Sequence, residues 1–198
     1  MKDTFISYSR KDRIFAQRIV ARLAQEQFDS WVDWAGIPYS AEWWREICKG
    51  IDGAKNFIFI LTPDSLTSRI CNLELEYARN HNKRVIPIVR REPDPKKLAG
   101  EWFGTDWEQI ARDNYVQLQK LNYIFFRKHS EPEFQCEYDE DTREITNPNC
   151  DGLSSDADNF ETAFQSLVDT VRRDQSYIEE QTRILKISFS LVRILFIR

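Results

Sequence analysis

"NFIFILTPDSLTSRICNLELEYARNHNKRVIPIV", residues 56 to 89, is the stretch that settles the fold class. Its ends, "NFIFIL" at 56–61 and "RVIPIV" at 84–89, are nearly continuous apolar runs. That is the pattern of strands covered on both faces, as in a parallel sheet flanked by helices. Between them "SRICNLELEYA", residues 68 to 78, reads as a helix. At roughly 100° per residue, Ile70, Cys71, Leu73, Leu75, Tyr77 and Ala78 spread over one broad apolar arc. Glu74 falls near the middle of that arc, whereas Glu76 lies about 160° from its centre, beside Asn72 and Arg79. His81 shares the arc and reads as a packed or edge residue. An inward carboxylate is anomalous, because an unpaired buried charge costs enough to shift its pKa or demand a partner. Glu74 pairs with a basic side chain inside the fold, or a local distortion carries it to water, or it serves a site.

The same alternation extends to both sides. "DTFISYS" is a short β-rich run, and "RIFAQRIVARLAQEQF" follows with Phe15, Ile19 and Leu23 at helical spacing. "SWVD" at 30–33 is a second strand and "EWWREICKGIDGA" at 42–54 a second helix, so four strands alternate with three helices through residue 89. Beyond Arg90, "REPDPKK" reads as a turn-rich exit, "EWFGTDWEQIARDN" as one short helix with aromatic anchors, and "NYIFF" at 122–126 as a fifth strand. Residues 128–156 are rich in acids and turn formers and read as a long exposed insertion. A final helix follows, with Phe160, Phe164, Leu167, Val171 and Ile178 along one side.

With 198 residues the chain suits one domain, expected over 1–180 and followed by a basic apolar tail at 181–198. A formal charge of −4 gives no nucleic-acid footprint. Four scattered cysteines without a CxxC pair favour reduced thiols over a zinc site or disulfide framework. "MKDTFISYS" enters a strand at once, without the regions of a secretory signal, so a cytoplasmic location is expected. Lys186 and Arg193 interrupt the tail, which is shorter than the roughly 20 residues a spanning helix needs. A last helix packing on the domain, or a truncated junction, is favoured for it over a basic amphipathic segment on a membrane surface or partner.

Several chemistries lack their motifs. No GxG occurs, nor GxxxxGK[ST], HExxH or GxSxG. Dehydrogenase, phosphate-loop, zinc-protease and nucleophile-elbow readings therefore have no support.

Ligands of open α/β sheets bind at the carboxyl ends of the strands. Three segments come to that edge: "SYSRKD" at 7–12, "DWAGIPYSAEW" at 33–43, and the early turns of the Glu74 helix. Together they offer the Glu74 carboxylate, hydroxyls from Ser7, Tyr8 and Ser9, the cation of Arg10, and aromatic surface from Trp34, Tyr39 and Trp43. Gly36 and Ile37 of the second loop and Ile70 of the helix complete the candidate binding set. Trp43 and Trp44 are adjacent on a helix and cannot share a face, so at most one should look into the pocket.

"DTFISYSRKD", "VDWAGIPYSAEWWREI", "NFIFILTPDSLTSRICNLELEYA" and "RVIPIV" resemble, in order, the boxes of a Toll/interleukin-1 receptor (TIR) domain of the bacterial type. The resemblance implies a flavodoxin-like three-layer sandwich with a five-stranded parallel sheet. It also implies cleavage of NAD+ at the nicotinamide glycosidic bond, releasing nicotinamide and ADP-ribose or a cyclic isomer, with NAD+ as substrate and no separate cofactor. The family's catalytic glutamate stands in a C-x-x-E-L pattern, which here is "CNLEL" with Glu74. Loop 33–43 matches the family's BB loop, implying homotypic assembly with other TIR domains. One departure stands out: where many active members carry a tryptophan four residues before the glutamate, this chain has Ile70. Glu74 is expected to be ionised in turnover, favoured by its early place in a helix. Two rival readings are a non-enzymatic TIR interaction scaffold and a nucleoside deoxyribosyltransferase-like enzyme.

Overall fold

The computed structural model describes residues 2–34, 41–126 and 157–173. The expected insertion at 128–156, the tail at 181–198, and Gly36, Ile37 and Tyr39 of the second loop lie outside the described residues. Strands β1 (Lys2–Ser7), β2 (Ser30–Trp31), β3 (Ala54–Leu61), β4 (Arg84–Val89) and β5 (Ile124–Phe125) form one sheet in the order β2-β1-β3-β4-β5. Every pairing is parallel. This is the flavodoxin-like order, and the sheet turns back between β1 and β3, where such folds open their crevice. Helices α1 (Arg13–Gln25), α2 (Ala41–Asp52), α3 (Pro63–Thr67), α4 (Arg69–Asn80), α5 (Pro95–Trp102), α6 (Glu108–Leu118) and α7 (Ala157–Arg172) cover it.

The apolar run of β3 explains the three layers. Phe57, Phe59 and Leu61 point to one face and pack with Ile47 and Ile51 of α2, Leu75 of α4, and Ala111 and Leu118 of α6. Ile58 and Ile60 point to the other and meet Phe15, Ile19 and Leu23 of α1 and Phe160, Phe164 and Leu167 of α7. Alternating residues thus feed two cores, which requires a strand that is apolar throughout.

Three expectations change in detail. The second and fifth strands pair over two residues each, because their neighbours leave the sheet at its edges. The turn-rich "REPDPKK" starts a helix: the Asp94 side chain accepts from the Lys96 backbone N–H and Pro95 occupies the first helical turn, both good N-terminal signals. The single helix expected at 101–114 is two, α5 and α6, parted at Gly104, whose φ of 75° is a conformation glycine adopts without strain. The "TPDSLT" segment, unassigned by its period, forms α3 through a reciprocal capping box of Thr62 and Ser65.

One glycine is fixed by close approach. A Cβ on Gly50 of α2 would sit 2.7 Å from Cδ2 and Cε2 of Trp31, an indole stacked on Phe5 with ring centroids 4.7 Å apart. Gly50→Ala should lower stability by about 1–3 kcal/mol, as overpacking does, outweighing the gain of up to ~1 kcal/mol from helix propensity. Urea denaturation of the two proteins reads this directly.

A charged knot braces the strand edge on which the site stands. Arg91, just past β4, bonds Asp12 Oδ1 at 2.9 Å and Asp64 Oδ2 at 2.6 Å through Nη2. Thr62 Oγ1 donates to Asp12 Oδ2 at 2.8 Å, and Lys11 Nζ lies 3.0 Å from Asp64 Oδ1. The loop after β1, the start of α3 and the exit of β4 are thereby tied together. Among the described residues no helix is long and apolar enough to cross a membrane.

Candidate functional site

At the carboxyl ends of β1 and β3 lies a cavity of about 230 Å³. Tyr8, Ser9, Arg10 and Lys11 line it from the first loop, Asp33 and Trp43 from the second segment, and Ser68, Ile70, Cys71 and Glu74 from α4 and its cap. The three segments expected to meet at the sheet edge therefore do so.

Glu74 points inward: it neither reaches bulk water nor pairs with a basic side chain among the described residues. It is 6% exposed and lines the cavity. Its described hydrogen-bond partner is not a base but Ser7, whose Oγ donates to Glu74 Oε2 at 2.6 Å. Ser7 itself is fully covered at the end of β1 and acts behind the carboxylate instead of on the cavity wall. Burial raises the Glu74 pKa from its ordinary value to about 8; the Ser7 hydrogen bond opposes this, and the nearby Asp33 charge adds to it. Burial thus outweighs the early helical position expected to favour the charged form, and below that pH the free protein holds Glu74 protonated. Glu74 stands in the second turn of α4, and the helix-end field fades beyond the first, so desolvation wins. A strongly perturbed carboxyl in a cleft is a frequent mark of a functional group.

The other candidates divide. Arg10 and Ile70 line the cavity as expected. Ser9 lines it too, but its Oγ also caps the 3-10 turn over Arg10–Asp12 by accepting from the Lys11 N–H at 3.4 Å. Tyr8 lines the cavity while its hydroxyl donates to the Asp33 carbonyl at 3.1 Å, so it also fixes the second segment. Trp34 does not line the cavity; its ring leans on Tyr8 with centroids 5.7 Å apart, because the chain beyond β2 turns it toward the α1 side of the sheet. Trp43 is buried against the cavity, and its Nε1 donates to Asp33 Oδ2 at 3.1 Å. Trp44 lies outside it and meets Tyr77 edge-on, as the helical geometry of the pair required. His81 is an exposed end residue stacked on Tyr77, with centroids 3.8 Å apart.

Ile6, Lys11, Asp33, Ser68 and Cys71 complete the wall without having been named for it from the sequence. Ser68 could have been found as an N-cap, since its side chain accepts from the Cys71 N–H. Cys71 is no nucleophile: burial, with the Glu74 charge, pushes its thiol up to about 12. Its Sγ lies 3.3 Å from the Tyr8 carbonyl, a packing contact that joins α4 to the first loop.

The arrangement can hold a small ligand bearing positive charge against Glu74 and Asp33, and negative charge near Arg10 and Lys11. Comparison with curated protein sequences finds no match. Among solved structures, the TIR domains in "Structure of the activated Roq1 resistosome directly recognizing the pathogen effector XopQ" superpose with a TM-score of 0.59 at 12% identity, covering 86% of this chain and 99% of that one. The TIR domain of the Toll-related receptor TRR-2 from Hydra magnipapillata gives a TM-score of 0.43 at 20% identity, covering 61% of this chain and 100% of that one. The family model described as TIR domain matches residues 4–137, more than half of the sequence, and the chain belongs to the TIR domain family.

Proposed function

We propose that this TIR domain is an NAD+ hydrolase or cyclase that releases nicotinamide and ADP-ribose or a cyclic isomer, with Glu74 as its catalytic residue. Activity depends on self-association through loop 33–43 and serves signalling or defence in the cytoplasm. NAD+ is the substrate, and no other cofactor takes part. The observation that carries this reading is the Glu74 carboxyl, buried on the wall of a cavity and backed by Ser7, with no basic partner among the described residues.

The chemistry makes one carboxylate sufficient. Nicotinamide in NAD+ is already a cationic pyridinium, so it departs neutral without a general acid, through an oxocarbenium-like transition state. Glu74 must be anionic to stabilise that charge. An opposite charge brought close favours the ionised form of a carboxyl. Entry of the pyridinium therefore expels the Glu74 proton and creates the catalytic carboxylate where it is used, in a site with little water. Arg10 and Lys11 stand on the same cavity as cations for phosphate.

Incubation of the purified chain with NAD+, free and fused to a multimerising tag, with nicotinamide quantified by chromatography, tests the proposal. Release that rises with assembly is expected; an assembled, folded protein that releases none would refute it. A second reading, a TIR scaffold without catalysis, is favoured by Ile70 in place of an aromatic ring. If the site is catalytic, Ile70→Trp should lower the KM for NAD+ by about 2- to 10-fold, the worth of one aromatic stacking contact. In a pure scaffold neither form would turn over.

A further inference from the structure

The cavity beside Glu74 is too small for a whole dinucleotide. Pockets that bury ligands of drug size hold roughly 300–1,000 Å³, and this one holds about 230 Å³. A more open groove of about 610 Å³ adjoins it between α2 and α4. Trp43, Ser68 and Ile70 line both hollows and form the sill between them. Trp44 and Leu73 add the groove's apolar walls, and Arg69, between the sill residues Ser68 and Ile70 in the chain, and Glu76 its charged ones.

We infer that the groove between α2 and α4 is the subsite for the adenosine half of the dinucleotide, while the nicotinamide riboside half occupies the Glu74 cavity. The inference rests on the NAD+ reading proposed above. Size allows it, since the Glu74 cavity alone falls short of a whole-ligand site and the adjoining groove supplies the missing space. The division of chemistry supports it as well. The cavity carries Glu74 and Asp33, suited to a cationic ring, whereas the groove offers the half-buried indole of Trp44, suited to a neutral purine. Neither Trp43 nor Tyr77 stacks on that indole; both meet it at steep angles, 44° and 84° between planes. Arg69 is exposed, and its tie to Asp106 at 3.1 Å is a surface pair. Such pairs contribute little and exchange readily, so Arg69 is available to the pyrophosphate where it crosses the sill.

Titration calorimetry on the full chain, with ADP-ribose and nicotinamide mononucleotide as separate probes, tests the assignment. Wild type should bind both. Trp44→Ala should weaken ADP-ribose at least tenfold, within the range found for loss of one base-stacking ring, and change nicotinamide mononucleotide by less than about threefold. Leu73→Glu should act in the same direction, and it leaves the Trp44 and Tyr77 rings in place should Trp44→Ala fail to fold. Absence of ADP-ribose binding to wild type, or equal ADP-ribose affinity in wild type and the folded variants, overturns the inference. ADP-ribose binding does not depend on bond cleavage. Intact, groove-dependent binding without nicotinamide release therefore supports the subsite while refuting the hydrolase reading. Release from NAD+ and from nicotinamide mononucleotide with the same relative efficiency in every variant does the reverse.

Discussion

Glu74→Gln should abolish nicotinamide release, lowering kcat/KM by at least about 10²-fold, while making the folded protein more stable at alkaline pH. The first effect follows from losing the charge placed to stabilise the oxocarbenium; removing a single preorganised electrostatic contact costs about 10²–10³ in rate. The second follows from the raised pKa. An unfolded chain releases the Glu74 proton near the ordinary 4.5, but the folded protein keeps it to about 8. Stability is therefore lost progressively as pH rises from about 4.5 to 8 and stays level above. The glutamine side chain does not titrate and removes that slope, a difference of up to roughly 3–5 kcal/mol at pH 8.5. Thermal melts of both proteins at pH 5 and pH 8.5, beside the activity assay, separate the two consequences. A variant that loses activity through unfolding would melt earlier, not later. The wild-type rate should rise with pH, with kcat/KM reporting the free protein's pKa near 8 and kcat a lower one, because the bound pyridinium favours the carboxylate.

Arg91→Met should cost about 3–5 kcal/mol at neutral pH, the usual penalty for leaving buried charge uncompensated. It removes the cation that two acids share: Asp12, 6% exposed, and half-buried Asp64. Lys11 still faces Asp64. Among the described residues Asp12 keeps the Thr62 hydroxyl as its side-chain partner, and it lies deep in the fold, where burial already raises its pKa against the pull of Arg91. Without Arg91 it rises further. The deficit should shrink as pH falls and Asp12 takes up a proton, so urea midpoints of variant and wild type should converge as the pH is lowered. A constant gap across pH would mean that packing of the arginine stem, not its charge, is what the knot supplies. Because the knot fixes the loop carrying Tyr8 to Lys11, a secondary rise in the KM for NAD+ is expected as well.

The parallel sheet and the inward carboxylate were legible in the sequence because each is a property of periodicity. "NFIFIL" has no polar face to give to water, and Glu74 sits on the apolar arc whatever surrounds the helix. The convergence of three loops followed from the general rule about strand ends. The split at Gly104, the capping box at Thr62 and the two-residue edge strands were less legible, since they depend on single caps, one backbone angle and position in the sheet.

Tertiary structure decided everything that depends on distance between segments. It gave Glu74 a serine from β1 as partner in place of a base, and it raised the carboxyl's pKa where an early helical position was expected to favour the charge, because desolvation is set by what covers a residue and not by its neighbours in the chain. It turned Trp34 away from the cavity and Trp43 toward it, drew Asp33 and Lys11 into the wall, and made Arg91 the brace of the edge. Sequence determines which side of an element faces inward; only the packed fold determines what is met there, and the energy of a buried charge lies in that meeting.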